Sequence, residues 1–298
     1  MSLKNFATLY ATADAFVQPV PVAAAGGADA TVIQAMDLSR RRHWIQPILT
    51  GDPERIRQLA DQINIDLTPF RIVEDAADSA VEAVKLVRSG QAKLLMKGQI
   101  STPALMKAIL DKENGLRTGK TICQVVLMEI NRDQRVFLMT DTGVTIAPTL
   151  EQKKELIESV VGIAQKLGAK TPRIALMSAT EKPTPALPDT LESQQLVEQA
   201  ATGAFGPCLV QGPLSFDLAY ASEAGQKKGI GGDVTGAADA MVFPDLLSAN
   251  LTVKGIMYTA DCRFGGVLRG TTSPVVFMSR ADTVETRMNS LAYALSLL

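Results

Sequence analysis

Cysteine and histidine are scarce in this 298-residue chain, and their scarcity narrows its chemistry. Cys123, Cys208 and Cys262 lie far apart, are odd in number and form no CxxC pair. Neither a disulfide framework nor a thiolate metal site is expected, and the compartment is read as reducing. The single histidine, His43, stands beside Arg40, Arg41 and Arg42. One histidine cannot build a multi-histidine metal centre and leaves Ser-His catalysis resting on one residue, so it is read as structural or helix-ending. An excess of one charge is missing too: thirty Lys and Arg against thirty-one Asp and Glu leave a formal charge of −1. Nothing in that balance attracts nucleic acid or an anionic membrane, and an anionic substrate has to be held locally. No run of about twenty apolar residues occurs, and the start "MSLKNFATLYATADAF" lacks the apolar core of a secretory signal, so a cytoplasmic protein is expected. There is no Walker A loop and no GxGxxG after a credible strand.

What the chain does have is alternation. Short apolar runs ("PVPVAAAGG", "WIQPILTG", "FRIVE", "AKLLMKG") alternate with amphipathic stretches such as Asp52 to Ile63 and Ala76 to Ser89, the pattern of βαβ units and a mainly parallel sheet. Asp52 before Pro53 predicts an N-cap with proline at the first helical position. "ICQVVLMEI" and "RVFLMTD", separated by "NRDQ", predict an antiparallel hairpin at the edge of a mixed sheet. A strong amphipathic helix from Leu150 to Leu167, closed by Gly168, opens a new unit. That unit continues through "RIALMS", a helix from about Leu191, "CLVQGPLSF" and a helix over "DLAYASEAGQKKG". Two α/β domains follow, residues 1–147 with 272–298 and residues 148–271, the final strand and helix returning to the first.

Chemistry-bearing groups collect at predicted strand ends. "AKLLMKGQISTPALMKAIL" sets Lys97, Gly98, Ser101 and Thr102 between a strand and a helix start, where free N–H groups, hydroxyls and a lysine form an anion site; capping of the helix is the plainer reading. Asp141 and Thr142 end a strand and either orient a ligand or form an ordinary Asp-Thr-Gly turn. Gly212 and Pro213 follow a strand, and Asp217 stands at a helix start. Lys228 and Gly229 open a glycine-rich stretch in which backbone can approach a bulky anion. "PVVFMSRAD" delivers Ser279 and Arg280 at a strand tip, an arginine that can clamp phosphate beside a hydroxyl that can donate to an oxyanion, or else an exposed arginine paired with Asp282.

Taken in order, "MKGQIST", "MTDTGVTIAPTLEQK", "PRIALMSATE", "GPLSFDLA", "KKGIGGDVTGAADAMVFPDLLSANLTVKG" and "PVVFMSRAD" resemble the phosphate acetyltransferase and phosphate butyryltransferase family, from Lys93 to the carboxyl end. The resemblance implies a two-domain αβα fold like that of isocitrate and isopropylmalate dehydrogenases, with a cleft between domains, and a homodimer or higher homo-oligomer. It implies the reaction acyl-CoA plus phosphate to acyl phosphate plus CoA, with no metal or other cofactor and CoA itself as substrate or product. On it Arg280 positions phosphate, Ser279 stabilises the carbonyl oxygen, the Ser101–Thr102 helix start adds donors, and Lys107 stands for a basic residue of the acetyl branch. Lys228 and the glycines after it shape the cleft and the CoA side.

In one place the chain departs from the pattern. The acetyl branch carries an aspartate, the base for the CoA thiol, seven residues after the motif serine, and here that position is Thr286. Threonine does not serve as a base at neutral pH, and neighbouring Glu285 is turned about 100° away on a helix. Butyryl or another short acyl group is therefore expected ahead of acetyl. A thiol of pKa about 8.5 ionises with help from nearby cations, which lessens the need for a carboxylate base. Two alternatives remain at this level: a non-catalytic CoA- or acyl-phosphate-binding regulatory protein, suggested by the missing aspartate, and an NAD-dependent decarboxylating dehydrogenase, opposed by the lack of clustered aspartates.

Overall fold

A computed structural model describes residues 2–74, 78–277 and 279–298. The chain divides into two compact units: a terminal unit, Phe6–Lys120 with Gly265–Leu298, and a central unit, Thr121–Phe264 with the first residues of the chain. The sequence reading drew its boundary at residues 147 and 148; the units part at residues 120 and 121, so that the hairpin groups with the Leu150 helix.

The terminal unit contains α1 (Phe6–Asp14), β1 (Val20–Ala25), α2 (Ala30–Arg41), β2 (Ile45–Gly51), α3 (Pro53–Gln62), β3 (Arg71–Glu74), α4 (Ser79–Arg88), β4 (Leu94–Lys97) and α5 (Thr102–Ile109). The helix expected from Ala76 is described from Ser79; Ala76 and Ala77 lie outside the described residues. The unit is completed by the latter part of β10 (Cys262–Arg269), by β11 (Val275–Val276) and by α11 (Val284–Leu295). Its strands run in the order β3-β2-β1-β4-β11-β10. β1 to β4 and β11 are parallel neighbours throughout, with Ala25 beside Lys97 and Val276 beside Met96. Strands covered by helices on both faces must be apolar on both, and Val22 to Ala25 and Leu94 to Met96 are all fully buried. α11 is a core helix: every residue from Thr286 to Leu295 is buried. The sole tryptophan, Trp44, is buried edge-on to Tyr10 and donates its indole N–H to Asp14 at 2.7 Å.

The central unit contains β5 (Cys123–Ile130), β6 (Arg135–Thr140), α6 (Leu150–Lys166), β7 (Arg173–Met177), α7 (Pro188–Ala201), β8 (Leu209–Leu214), α8 (Phe216–Tyr220), α9 (Ser222–Lys228), β9 (Ala240–Val242) and α10 (Leu246–Thr259). Its strand order is β5-β6-β9-β7-β8. β6 therefore lies between β5 and β9, so the second strand of the hairpin is interior and not the edge strand that the sequence suggests. Val126, Met128, Phe137, Met139, Ala175 and Met241 meet in one apolar core. α6 starts with a capping box between Thr149 and Gln152, which satisfies backbone donors at both ends of the first turn.

The strands of each unit are mixed in direction, and the isocitrate/isopropylmalate dehydrogenase-like architecture expected from the resemblance is not borne out. The antiparallel pairs β5/β6 and β10/β11 have a local cause. Their connections, residues 131–134 and 270–274, are far too short for the crossover that a parallel pair needs. The helix expected over "DLAYASEAGQKKG" is two helices, broken at Ala221, whose φ of −118° and ψ of 122° are extended.

Candidate active site

In the terminal unit the carboxyl ends of β1, β4 and β11 lie side by side, the edge at which open α/β sheets bind ligands. Lys97 is the last residue of β4 and is only 2% exposed. The turns that follow β1 and β4 are laced together: Gly98 N–H donates to the Ala25 carbonyl at 2.7 Å and Gln99 N–H to the Gly26 carbonyl at 2.8 Å. A Cβ on Gly98 would come within 2.2 Å of the Gly26 carbonyl oxygen, so only glycine fits this approach. Ser101 is the N-cap of α5 and accepts from Ala104 N–H at 3.3 Å, with Thr102 beside it at the helix start; both are exposed.

Beyond β11, Ser279 and Arg280 are exposed. Asp282 turns its carboxylate onto Ser279 N–H, and the Ser279 hydroxyl accepts from Ala281 N–H at 3.3 Å. Arg280 has no ion-pair partner among the described residues, so the alternative of an Arg280–Asp282 surface pair is not what this turn builds. Arg287, one turn into α11, is completely buried. Its Nε donates to Thr31 Oγ1 at 2.9 Å and its Nη1 to the Lys97 carbonyl at 3.4 Å, while the buried Nη2 has no hydrogen-bond partner among the described residues. Thr31 in turn donates to Asp29, the N-cap of α2.

Three cations thus share one corner, and the electrostatics follow. Burial, then the charges of Arg287 and Arg280, push the Lys97 amine down to about 8, with Asp282 opposing. Burial likewise lowers Arg287, against the pull of Asp29 and Asp282. Thr286 is buried, its hydroxyl on that of Thr283 at 3.0 Å. Lys107 is not part of this cluster; it is exposed in the last turn of α5, at a cavity of about 170 Å³ that also touches Asp78, Asp111 and Asn114.

The central unit holds the other sequence candidates. Asp141 is 2% exposed and accepts four backbone N–H bonds, from Gln124, Gly143, Val144 and Thr145, at 2.7 to 3.1 Å. Burial outweighs those bonds and raises its pKa. It organises the turn after β6, where the Thr142 carbonyl accepts from Asn250. Gly212 and Pro213 lie within β8, joined by a cis peptide bond, with Gly212 packed against Leu176. Lys228 pairs with Asp217 at 3.0 Å, and Gly229 caps α9 in the left-handed conformation, φ 66°. Gln211 pins the glycine-rich stretch to β8: its amide donates to the Gly231 carbonyl and Thr235 Oγ1, and its carbonyl accepts from Val234 N–H.

A family model described as phosphate acetyl/butaryl transferase matches residues 74–295. The chain belongs to that family. It is 36% identical to the phosphate butyryltransferase of Clostridium acetobutylicum over 92% of this chain and 91% of that one. It is 37% identical to the phosphate acetyltransferase of Thermotoga maritima over 91% and 92%. Among solved structures, a branched-chain phosphotransacylase from Enterococcus faecalis V583 superposes with a TM-score of 0.81 at 31% identity, covering 93% of this chain and 98% of that one. The fold is accordingly that of the phosphotransacylases, and the isocitrate/isopropylmalate dehydrogenase likeness is set aside.

Within this phosphate acyltransferase chain, the terminal unit brings together Lys97, Gly98, Ser101, Thr102, Ser279 and Arg280. Lys107 stands outside that group, and Asp141, Thr142, Gly212, Pro213, Lys228 and Gly229 belong to the central unit. Sequence reasoning missed Arg287, Asp29 and Thr31. The signal for Arg287 was present: an arginine on a helix whose other residues, "MNSLAYAL", read as core. Buried arginines are rare unless paired.

Proposed function

We propose that the protein transfers a short acyl group between CoA and inorganic phosphate: acyl-CoA plus phosphate gives acyl phosphate plus CoA, with no metal or redox cofactor needed for the chemistry. The observation that carries this reading is the cationic corner of Lys97, Arg280 and Arg287 at the carboxyl edge of β1, β4 and β11 in a chain of this family. Phosphate and acyl phosphate are anions. The exposed guanidinium of Arg280 offers a bidentate contact to their oxygens, and Ser279 and the N–H groups at the start of α5 lie in the neighbouring turns. A phosphate oxygen held there attacks the thioester carbonyl, negative charge develops on the carbonyl oxygen, and fixed donors stabilise it. We assign butyryl ahead of acetyl as the acyl group, because the acetyl-branch aspartate position is Thr286, whose hydroxyl is buried against Thr283.

The test is release of free thiol. Purified protein given butyryl-CoA and phosphate should liberate CoA in a phosphate-dependent manner, faster than with acetyl-CoA. No phosphate-dependent release from any short acyl-CoA would overturn the reading, and CoA binding without turnover would point to the regulatory alternative.

A further inference from the structure

Building on the acyltransferase reading, we propose that Lys97 is the residue that moves the thiol proton, and that Arg287, packed on it from α11, is its positioning residue. The reaction needs such a group, because CoA leaves or enters as a thiol and the attacking or departing species is the thiolate. The ionisable groups of the corner are few. Asp282 is engaged by Ser279 N–H, Asp29 by Thr31 and Val32 N–H, Thr286 does not ionise, and a guanidinium group is a poor proton carrier. Lys97 differs from all of these. Its side chain is only 2% exposed, and it lies within reach of two guanidinium charges, one from the segment after β11 and one from α11. Asp282 is the acidic group acting on it directly, while Asp29 acts on Arg287. An amine held near 8 is available in both protonation states at physiological pH, which suits a group that must take and return a proton. Arg287 Nη1 on the Lys97 carbonyl ties the end of β4 to α11 and thereby holds that amine in place.

The proton accounts close in both directions. With acyl phosphate and CoA, neutral Lys97 takes the thiol proton, the thiolate sulfur bonds to the carbonyl carbon, the carbon–oxygen bond to phosphate breaks with the electron pair leaving on phosphate, the phosphate oxygen takes a proton from water, and Lys97 ammonium gives its proton back to water. With acyl-CoA and phosphate, an anionic phosphate oxygen bonds to the carbonyl carbon, the carbon–sulfur bond breaks, and Lys97 ammonium protonates the departing thiolate. The remaining P–OH proton of the product goes to water, and Lys97 recovers its own from water.

The acyl-CoA plus phosphate direction gives the cleanest test, since no free thiol titrates there. In the wild type, kcat should fall as pH rises through about 8, while the KM for phosphate stays within a few-fold. Lys97→Arg, which keeps the charge and cannot give up a proton, should lose about 10²- to 10⁴-fold in kcat in both directions. Lys97→Ala should be rescued by small primary amines in proportion to their free base with acyl phosphate and CoA. Arg287→Met should move the falling limb to higher pH. A Lys97→Arg enzyme within tenfold of wild type, rescue that tracks ammonium instead of free base, or a fall expressed only in the KM for phosphate would overturn the role of Lys97. A limb unmoved in Arg287→Met would overturn that of Arg287. Should Lys97→Arg fail to fold, the wild-type profile decides alone, through the presence or absence of the falling limb. Wild-type protein without phosphate-dependent thiol release would refute the acyltransferase reading; an active wild type with indifferent Lys97 variants would refute this inference only.

Discussion

Arg280 and Arg287 stand seven residues apart and show how differently one side chain is used. Arg280 is exposed on a turn and has no ion-pair partner among the described residues, so its guanidinium is available to an anion. Replacing it with alanine should lower kcat by about 10²- to 10³-fold, as for loss of a preorganised charge-stabilising donor, and leave the thermal midpoint within a degree or two. A variant with kcat near wild type would remove Arg280 from the reaction. Arg287 is completely buried, where an isolated cation is costly and is retained for what it touches. The first arginine was legible in "MSRAD" because a charge follows an apolar strand. The second was obscured by the helix around it, since a helix pattern says which residues are buried and not what they meet.

Elements were legible where local chemistry is strong. Asp52–Pro53 and the Leu150 helix carry their own start signals, and each appears where the residues place it. The break at Ala221 was not legible, because nothing in "DLAYASEAG" forbids helix; the chain extends there while Gly236 N–H bonds the Leu218 carbonyl, a contact far along the sequence. The glycine-rich stretch after α9 has the same character. Its conformation depends on Gln211 in β8, whose single amide makes three hydrogen bonds to it. Gln211→Ala should cost about 1 to 3 kcal/mol and raise amide hydrogen exchange across residues 231–235, while exchange in α6 is unchanged. Equal exchange in variant and wild type would mean that the glycines hold their shape unaided.

For the whole molecule, the lowered Lys97 amine links the site to stability. In the unfolded chain this amine has an ordinary lysine pKa, well above the folded value of about 8. Between those two values the unfolded chain binds a proton that the folded chain does not, so stability rises with pH across that window. Below about 8 both states are protonated, and the penalty of burying the ammonium is fully present. Urea midpoints should therefore increase from pH 8 to pH 10 more in the wild type than in Lys97→Met, and the variant should be the more stable protein at pH 7. Parallel midpoints in the two proteins would show that Lys97 stays charged in the folded state. Such a gain on removing a functional group is the expected trade between activity and stability.

Local composition and periodicity were enough to determine that this is an α/β chain, where most of its helices begin, and that Ser279 and Arg280 follow a strand. Those properties depend on neighbours in sequence, and propensity, capping and hydrophobic period act over a few residues. The tertiary structure decided that the hairpin strand β6 is interior and that Asp141 is a turn organiser buried under four N–H bonds. It also decided that Lys97, Arg280 and Arg287, from three separate segments, share one corner. The reason is physical. Strand order, burial and the pairing of charges are set by which segments pack together, and an amine becomes a usable acid and base only when that packing removes its water and brings other cations beside it.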